Sequence, residues 1–125
     1  MAALTEDRDT KLRDGVFLGL EAASEIFAGA MVSVNSSGKA VPATSGGNVV
    51  VGRAEYHVFA GEQVRVRRGV FNYDDSASDI TRADIGATVY VADDHTVTKT
   101  LAQGATAAVA GIVQDVDAEG VWVKI

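Results

Sequence analysis

The sequence contains no cysteine. Disulfides, thiolate metal sites and cysteine nucleophiles are therefore excluded, and packing or neighbouring molecules must hold the chain. Proline occurs once, and aromatic residues make up 6% of the chain. No apolar run is long enough to span a membrane. The opening stretch MAALTEDRDTKLRDG has no basic segment followed by an apolar one. It does not read as a secretory signal, so the product is expected to remain in the compartment where it is made. Basic residues are the minority, 11 against 17 acidic, for a net charge of -6. That balance disfavours nucleic acid or anionic lipid as the main partner and suits a partner surface with some positive charge.

What the chain does have is 47% hydrophobic residues, largely Val and Ala, and 13 glycines across 125 residues. This is ample for one core and one domain. Val-rich, Gly-punctuated composition predicts short strands joined by tight turns. Residues 1–14 stand apart. Thr5–Asp14, TEDRDTKLRD, interleaves charges of both signs around a single large apolar residue, Leu12, and cannot bury itself. It reads as an extended arm ahead of a β-rich domain at 15–125, either a solvated terminus or a segment that orders on a partner through Arg8, Lys11 and Arg13.

Strands are expected at Val16–Glu21 and Ala30–Asn35, with Asn35–Lys39 as a turn and KAVPA as the return strand. Pro42 lacks an amide hydrogen, which places it at a sheet edge or strand end. A strand is expected over Val49–Phe59, with a turn at Gly61–Glu62. The clearest period-two segment follows, QVRVRRGVFNY: Val64 and Val66 share one face, Arg65 and Arg67 the other, and Gly69 marks a bulge. Asp74–Gly86 is a polar loop in which Thr81 caps one helical turn. Two hairpins close the chain. One bends at ADDHT; the other turns at Asp117–Gly120 with Val121, Val123 and Ile125 on one face. GAMVSV at Gly29–Val34 echoes GATVYV at Gly86–Val91, pointing to a turn-strand-bend-strand unit used twice, too few copies for a repeat protein.

Motifs for chemistry are sparse. Asp93, Asp94 and His95 could join His57, the other histidine, around an ion, but consecutive residues at a tight bend diverge, and the trio reads as a hairpin tip. Asp74–Asp79 fails the EF-hand pattern, since the sixth position is Asp79 rather than Gly and the twelfth is Ile85 rather than Glu. It reads as a solvated loop. There is no nucleophile elbow, Walker loop or dinucleotide fingerprint. No catalytic, cofactor-binding or metal-ligating residue is assigned, and no enzymatic activity is expected. RVRR at Arg65–Arg68 is the one local basic patch. It reads as a solvated strand face or a contact with an acidic protein surface, because few aromatics accompany it. Trp122 is assigned to the core or to a subunit interface.

Taken in order, ALTEDRDTKLRDG, IFAGAMVSVNSSGKAVPA, VVGRAE, VRVRRGVFNY, ITRADIGATVYVADDHTVTKT and AGIVQDVDAEGVWVKI resemble the capsid cement, or head decoration, proteins of Mu-like and related tailed phages. The resemblance covers nearly the whole chain. It implies a compact β-rich domain without catalytic activity, present in many copies outside the shell. The expected fold is all-β, a small barrel or jelly-roll-like sandwich with an extended N-terminal arm. The expected partners are the major capsid protein and further copies of the chain, as dimer or trimer, without nucleic acid, membrane or cofactor. The expected location is the virion exterior after synthesis in the bacterial cytoplasm. Arg8, Lys11, Arg13, Arg65 and Arg67 are the expected shell contacts. A small β-rich module binding carbohydrate or protein is the alternative.

Overall fold

A computed structural model describes residues 2–8, 10, 11, 13, 15–101 and 107–125. The fold is all-β, as expected. Its ten strands are β1 Phe17–Glu21, β2 Met31–Val34, β3 Ala40–Pro42, β4 Val50–Ala54, β5 Gln63–Arg67, β6 Val70–Asp75, β7 Thr88–Asp93, β8 Thr96–Thr98, β9 Val109–Asp117 and β10 Gly120–Lys124. Among the described residues the only helical element is a 3-10 turn at Arg82–Asp84. Thr81 caps it: its side chain accepts from the Ala83 amide while Asp84 accepts from the Thr81 amide.

The strands form two five-stranded sheets of one design. The first runs β1-β5-β4-β2-β3. The second closes into a barrel whose order, started at β6, is β6-β10-β9-β7-β8. Each strand of the first half thus has a counterpart five places later in the second. The correspondence extends to single hydrogen bonds. The Gly29 amide donates to the Ala54 carbonyl and the Ala54 amide to Ala30; likewise Gly86 donates to Val113 and Val113 to Ala87. The Arg68 amide reaches the Val16 carbonyl at 2.7 Å, and Ile125 reaches Gly69 at 2.9 Å. Closure also matches. Asp75 pairs in parallel with Val97, and Ser76 donates to Val97. In the first half Ala22 bridges Ala40 in parallel, and Ala23 donates to Ala40. The first sheet is therefore the same closure with a shorter seam. The echo of GAMVSV in GATVYV, which reads as too little for a repeat, is the visible part of a duplication spanning both halves.

Bulges fall at the same place in each half, between Val32 and Ser33 against β4 and between Val89 and Tyr90 against β9. Opposite Val32 lies Gly52, and opposite Val89 lies Gly111. Neither has room for a side chain. A Cβ at Gly52 would meet Val66 Cγ1 at 2.5 Å and the Arg67 carbonyl at 2.7 Å; one at Gly111 would meet Val123 Cγ1 and the Lys124 carbonyl. Glycine there lets the strand turn sharply against its neighbour, which a five-stranded closure demands.

Val32, Val64 and Val66 fill the first interior, while Val89, Val97, Val113, Val121 and Val123 fill the second. Each buried Val side chain contributes roughly 1.5–3 kcal/mol. The second core also takes Met31, Ala43 and Val50 from the first half, so the halves share apolar packing. The Met31 amide donates to the Asp94 carbonyl at 2.8 Å, seating the β7–β8 tip on β2.

Three sequence expectations need correction. The strand over Val49–Phe59 ends at Ala54. Continuous alternation would bury Tyr56 along with Ala54 and Val58; a bend at Glu55–Tyr56 turns Tyr56 outward and returns Val58 as a single bridge to Ile26. Gly69 is not a bulge within one strand but the crossing between the two sheets. Asp74 and Asp75 belong to β6 rather than to the loop. Pro42 ends β3, the last strand in the first sheet's order, and Ala40–Val41–Pro42 pair on one side with β2.

Gly52→Ala and Gly111→Ala should each destabilise the fold by roughly 1–3 kcal/mol, since a carbonyl must retreat in both cases. Chemical denaturation of the two variants measures this, and similar losses are expected because the two positions are structurally equivalent.

Candidate functional site

Strand β5 buries Val64 and Val66 and exposes Arg65 and Arg67, as its alternation requires. Its neighbour β1 places Phe17 opposite Arg67 and Gly19 opposite Arg65. With no side chain at Gly19, the Arg65 guanidinium leans over the Phe17 ring at 4.4 Å, and Arg67 lies 5.5 Å from the same centroid. On the other side of β5, Arg53 of β4 stands opposite Arg67. Arg53 has its own partners, Glu55 and the face of Phe71 at 4.3 Å. Arg65, Arg67 and Arg68 have no carboxylate partner among the described residues. Beside them an open cavity of about 270 Å³ is lined by Arg13, Gly15, Phe17, Leu18 and Arg68. This is the basic face of an acidic chain. The sequence points to Arg65 and Arg67; it carries no local signal for Phe17, which lies about fifty residues away.

In the arm, Arg8, Lys11 and Arg13 are exposed, and residues 2–8 form neither strand nor helix. Leu12 and Asp14 lie outside the described residues. Trp122 sits on the outward side of β10, between the buried Val121 and Val123. It is half-buried, outside the core cluster, and its Nε1 donates to Asp117 at 3.0 Å. The alternation that buries its neighbours excludes it from the core.

The bend at Asp93–His95 does gather its side chains. Their ligand atoms lie within 4.8 Å of one another. The Asp93 carboxylate accepts from the His95 amide at 2.9 Å, the usual closure of a turn by aspartate. His95 Nδ1 lies 2.9 Å from Asp93 and 3.2 Å from Asp94, and Nε2 lies 4.0 Å from Asp74. The imidazole is 64% exposed. Its pKa is raised, first by the hydrogen bond to Asp94 and then by the charge of Asp93. Burial raises Asp93, but the His95 amide bond and nearby groups outweigh it, so its pKa is lowered. His57 is placed apart from this trio, with Nε2 at 2.8 Å from Glu25, between the rings of Phe27 and Phe59. The structure thus does not bring the two histidines into one cluster among the described residues.

At the end of β6, Asp75 accepts from the Ile80 amide at 2.8 Å, which fastens the following loop and seats Ile80 in the core. Asp84 and Asp115 have lowered pKa values, first from the Thr81 and Val116 amides and then from Lys99 and Arg82 respectively. Tyr73, inside the barrel, is raised by burial, partly offset by the Arg53 charge.

No protein-family model matches the chain, and no curated protein matches it. Among the described residues, no helix is long and apolar enough to cross a membrane.

The His95 imidazole should titrate above the ordinary imidazole range, and Asp94→Asn should bring its midpoint down. Its carboxylate contacts favour the protonated ring. Their stabilisation is therefore full below the ordinary imidazole pKa and is lost as pH rises through the raised value. Proton NMR of the ring against pH measures both effects.

Proposed function

We propose that the chain is a capsid cement protein, binding outside the major capsid protein shell of a tailed phage and tying neighbouring subunits together. The observation that carries this reading is the arginine face. Arg53 and Arg67 occupy paired positions on adjacent strands, and while Glu55 neutralises Arg53, Arg67 has only the Phe17 ring beside it. Three features leave that surface unsatisfied: Arg65 stands beside Arg67, Arg65, Arg67 and Arg68 have no acid among the described residues, and Phe17 is 38% exposed. Such a face gains free energy when an acidic protein surface covers it. The ordered resemblance to cement proteins supplies the identity of that surface.

A five-stranded sheet and a five-stranded barrel sharing core residues make a rigid body, as a cross-bridge between shell subunits must be. Arg8, Lys11 and Arg13 on the arm add a second, tethered attachment, and linked attachments raise effective affinity without new strong contacts. The chain acts in many copies on the virion exterior, as a dimer or trimer, after synthesis in the bacterial cytoplasm, and converts no substrate. A second reading, a small module binding carbohydrate or protein, is favoured by one observation only, the exposed ring stack of Phe27, His57 and Phe59.

Removing residues 2–14 should leave far-UV circular dichroism and Tm unchanged and lower occupancy on phage heads otherwise lacking the protein. Arg65→Glu with Arg67→Glu should weaken attachment by roughly tenfold or more, steeply dependent on salt. Occupancy that is unchanged in both variants, measured by co-sedimentation with heads, would falsify the cement reading.

A further inference from the structure

The two halves serve as controls for each other. In each, the segment leading into β2 or β7 packs against the chain that follows β4 or against the end of β9. In the second half this corner is polar: Arg82 Nη1 donates to Asp115 and to the Val116 carbonyl. In the first half the buried pair Ile26–Val58 holds the corner, and three rings cluster outside it, two stacked and the third tilted. Phe27 and His57 are parallel at 4.5 Å, and Phe59 follows at 4.9 Å. Phe27 is 59% exposed and Phe59 57%. The second half shows that the fold does not need aromatic residues here. Large apolar rings left in water at a position the fold leaves free mark a contact surface.

The chemistry of the partner follows from the other phenylalanines. The chain has four. Phe17 and Phe71 each lie beneath arginines of the chain itself. Phe27 and Phe59 have no arginine or lysine over them among the described residues. Around them stand carboxylates. Glu25 holds His57 at 2.8 Å and is 45% exposed, and Glu62 accepts from the Phe59 amide at 2.6 Å. In the second half the corner's guanidinium is internal, supplied by Arg82. In the first half, rings and acids are present, His57 occupies Glu25, and no arginine or lysine reaches the rings among the described residues.

We propose that the Phe27–His57–Phe59 corner, with Glu25 and Glu62, is a second protein-contact surface, and that it takes an arginine or lysine side chain flanked by apolar residues from a partner protein. The surface rests on the cement reading only for the partner's identity, which would be a second shell subunit. It is opposite in sign to the Arg65–Arg67 face. One molecule would then grip an acidic patch with one surface and a basic one with the other, which suits a bridge between unlike edges of adjacent subunits. A cation over an exposed ring contributes about 0.5–1 kcal/mol, or a factor of about two to five. Several such contacts are needed, and three rings with two carboxylates provide them.

The test uses the full chain and a defined probe, the peptide acetyl-Gly-Arg-Leu-Arg-Gly-amide, with a control peptide carrying neutral citrulline in place of both arginines. Ring resonances of Phe27, His57 and Phe59 are followed by NMR. The arginine peptide should shift them saturably in the millimolar range. The citrulline peptide should bind at least fivefold more weakly, and Glu25→Gln should weaken the arginine peptide about twofold to fivefold. Phe27→Ser with Phe59→Ser should abolish the shifts while leaving circular dichroism unchanged. Equal binding of both peptides, no shift with either, or shifts produced by an oligosaccharide in place of the arginine peptide would each overturn the proposal. Occupancy on heads separates this from the cement reading. If the peptide binds as described but neither this double variant nor the Arg65/Arg67 variant changes occupancy, the surface stands and the cement reading falls.

Discussion

A sheet of five short strands can close only if some of them coil hard, and that coil depends on backbone approaching backbone with nothing between. Gly52 and Gly111 meet this demand. Each sits opposite a bulge and takes a valine methyl and a carbonyl oxygen into the space a Cβ would fill. From that approach follow the inward valines of β5 and β10 and the parallel seams at Ala22–Ala40 and Asp75–Val97. The outward row that carries Arg65 and Arg67 follows as well. The functional face is thus a by-product of closure: the alternation that packs Val64 and Val66 inside forces their neighbours out.

Much of this was legible in the chain. Period-two alternation located β5, β7 and β10, and turn chemistry located the bends at Asn35–Lys39, Asp93–His95 and Asp117–Gly120. Asn35 Oδ1, for instance, accepts from both the Ser37 and Lys39 amides at 3.0 Å. What could not be read were the non-local relations. Nothing near Gly52 indicates that Arg67 will press against it. The duplication was visible only in six residues because the halves have diverged elsewhere: Arg65 corresponds to Trp122 and Arg53 to Ile112. The candidate site divides the same way. Arg65 and Arg67 stand two residues apart, and the alternation of β5 alone puts them on one face. Phe27 and Phe59 lie some thirty residues apart and meet only across His57, so no local pattern could reveal them.

The acid–imidazole bend shows how a cluster with the composition of a chemical site can have a mechanical role. Its side chains close a tight turn in water, and its backbone does the joining, through the Asp94 carbonyl to the Met31 amide. That bond, with Met31 buried in the second core, joins the first sheet to the barrel. The placement also explains why the acids belong at this position. The Asp93 carboxylate accepts from the His95 amide, and that bond closes the turn from which Asp94 presents its carbonyl to β2.

Equivalent strands in the two halves share pairing order, direction and buried apolar positions, so each is a plausible mate for the other's neighbours while the chain is still unfolded. Tandem units of this kind are prone to exchanging segments, within one molecule or between two. The divergence on their outward positions, guanidinium in one half against indole or isoleucine in the other, works against such exchange. A β5 inserted where β10 belongs would set Arg65 opposite Asn72 and remove the indole that Asp117 holds. The differences that give the first half its contact chemistry also keep the two halves from mistaking each other for themselves.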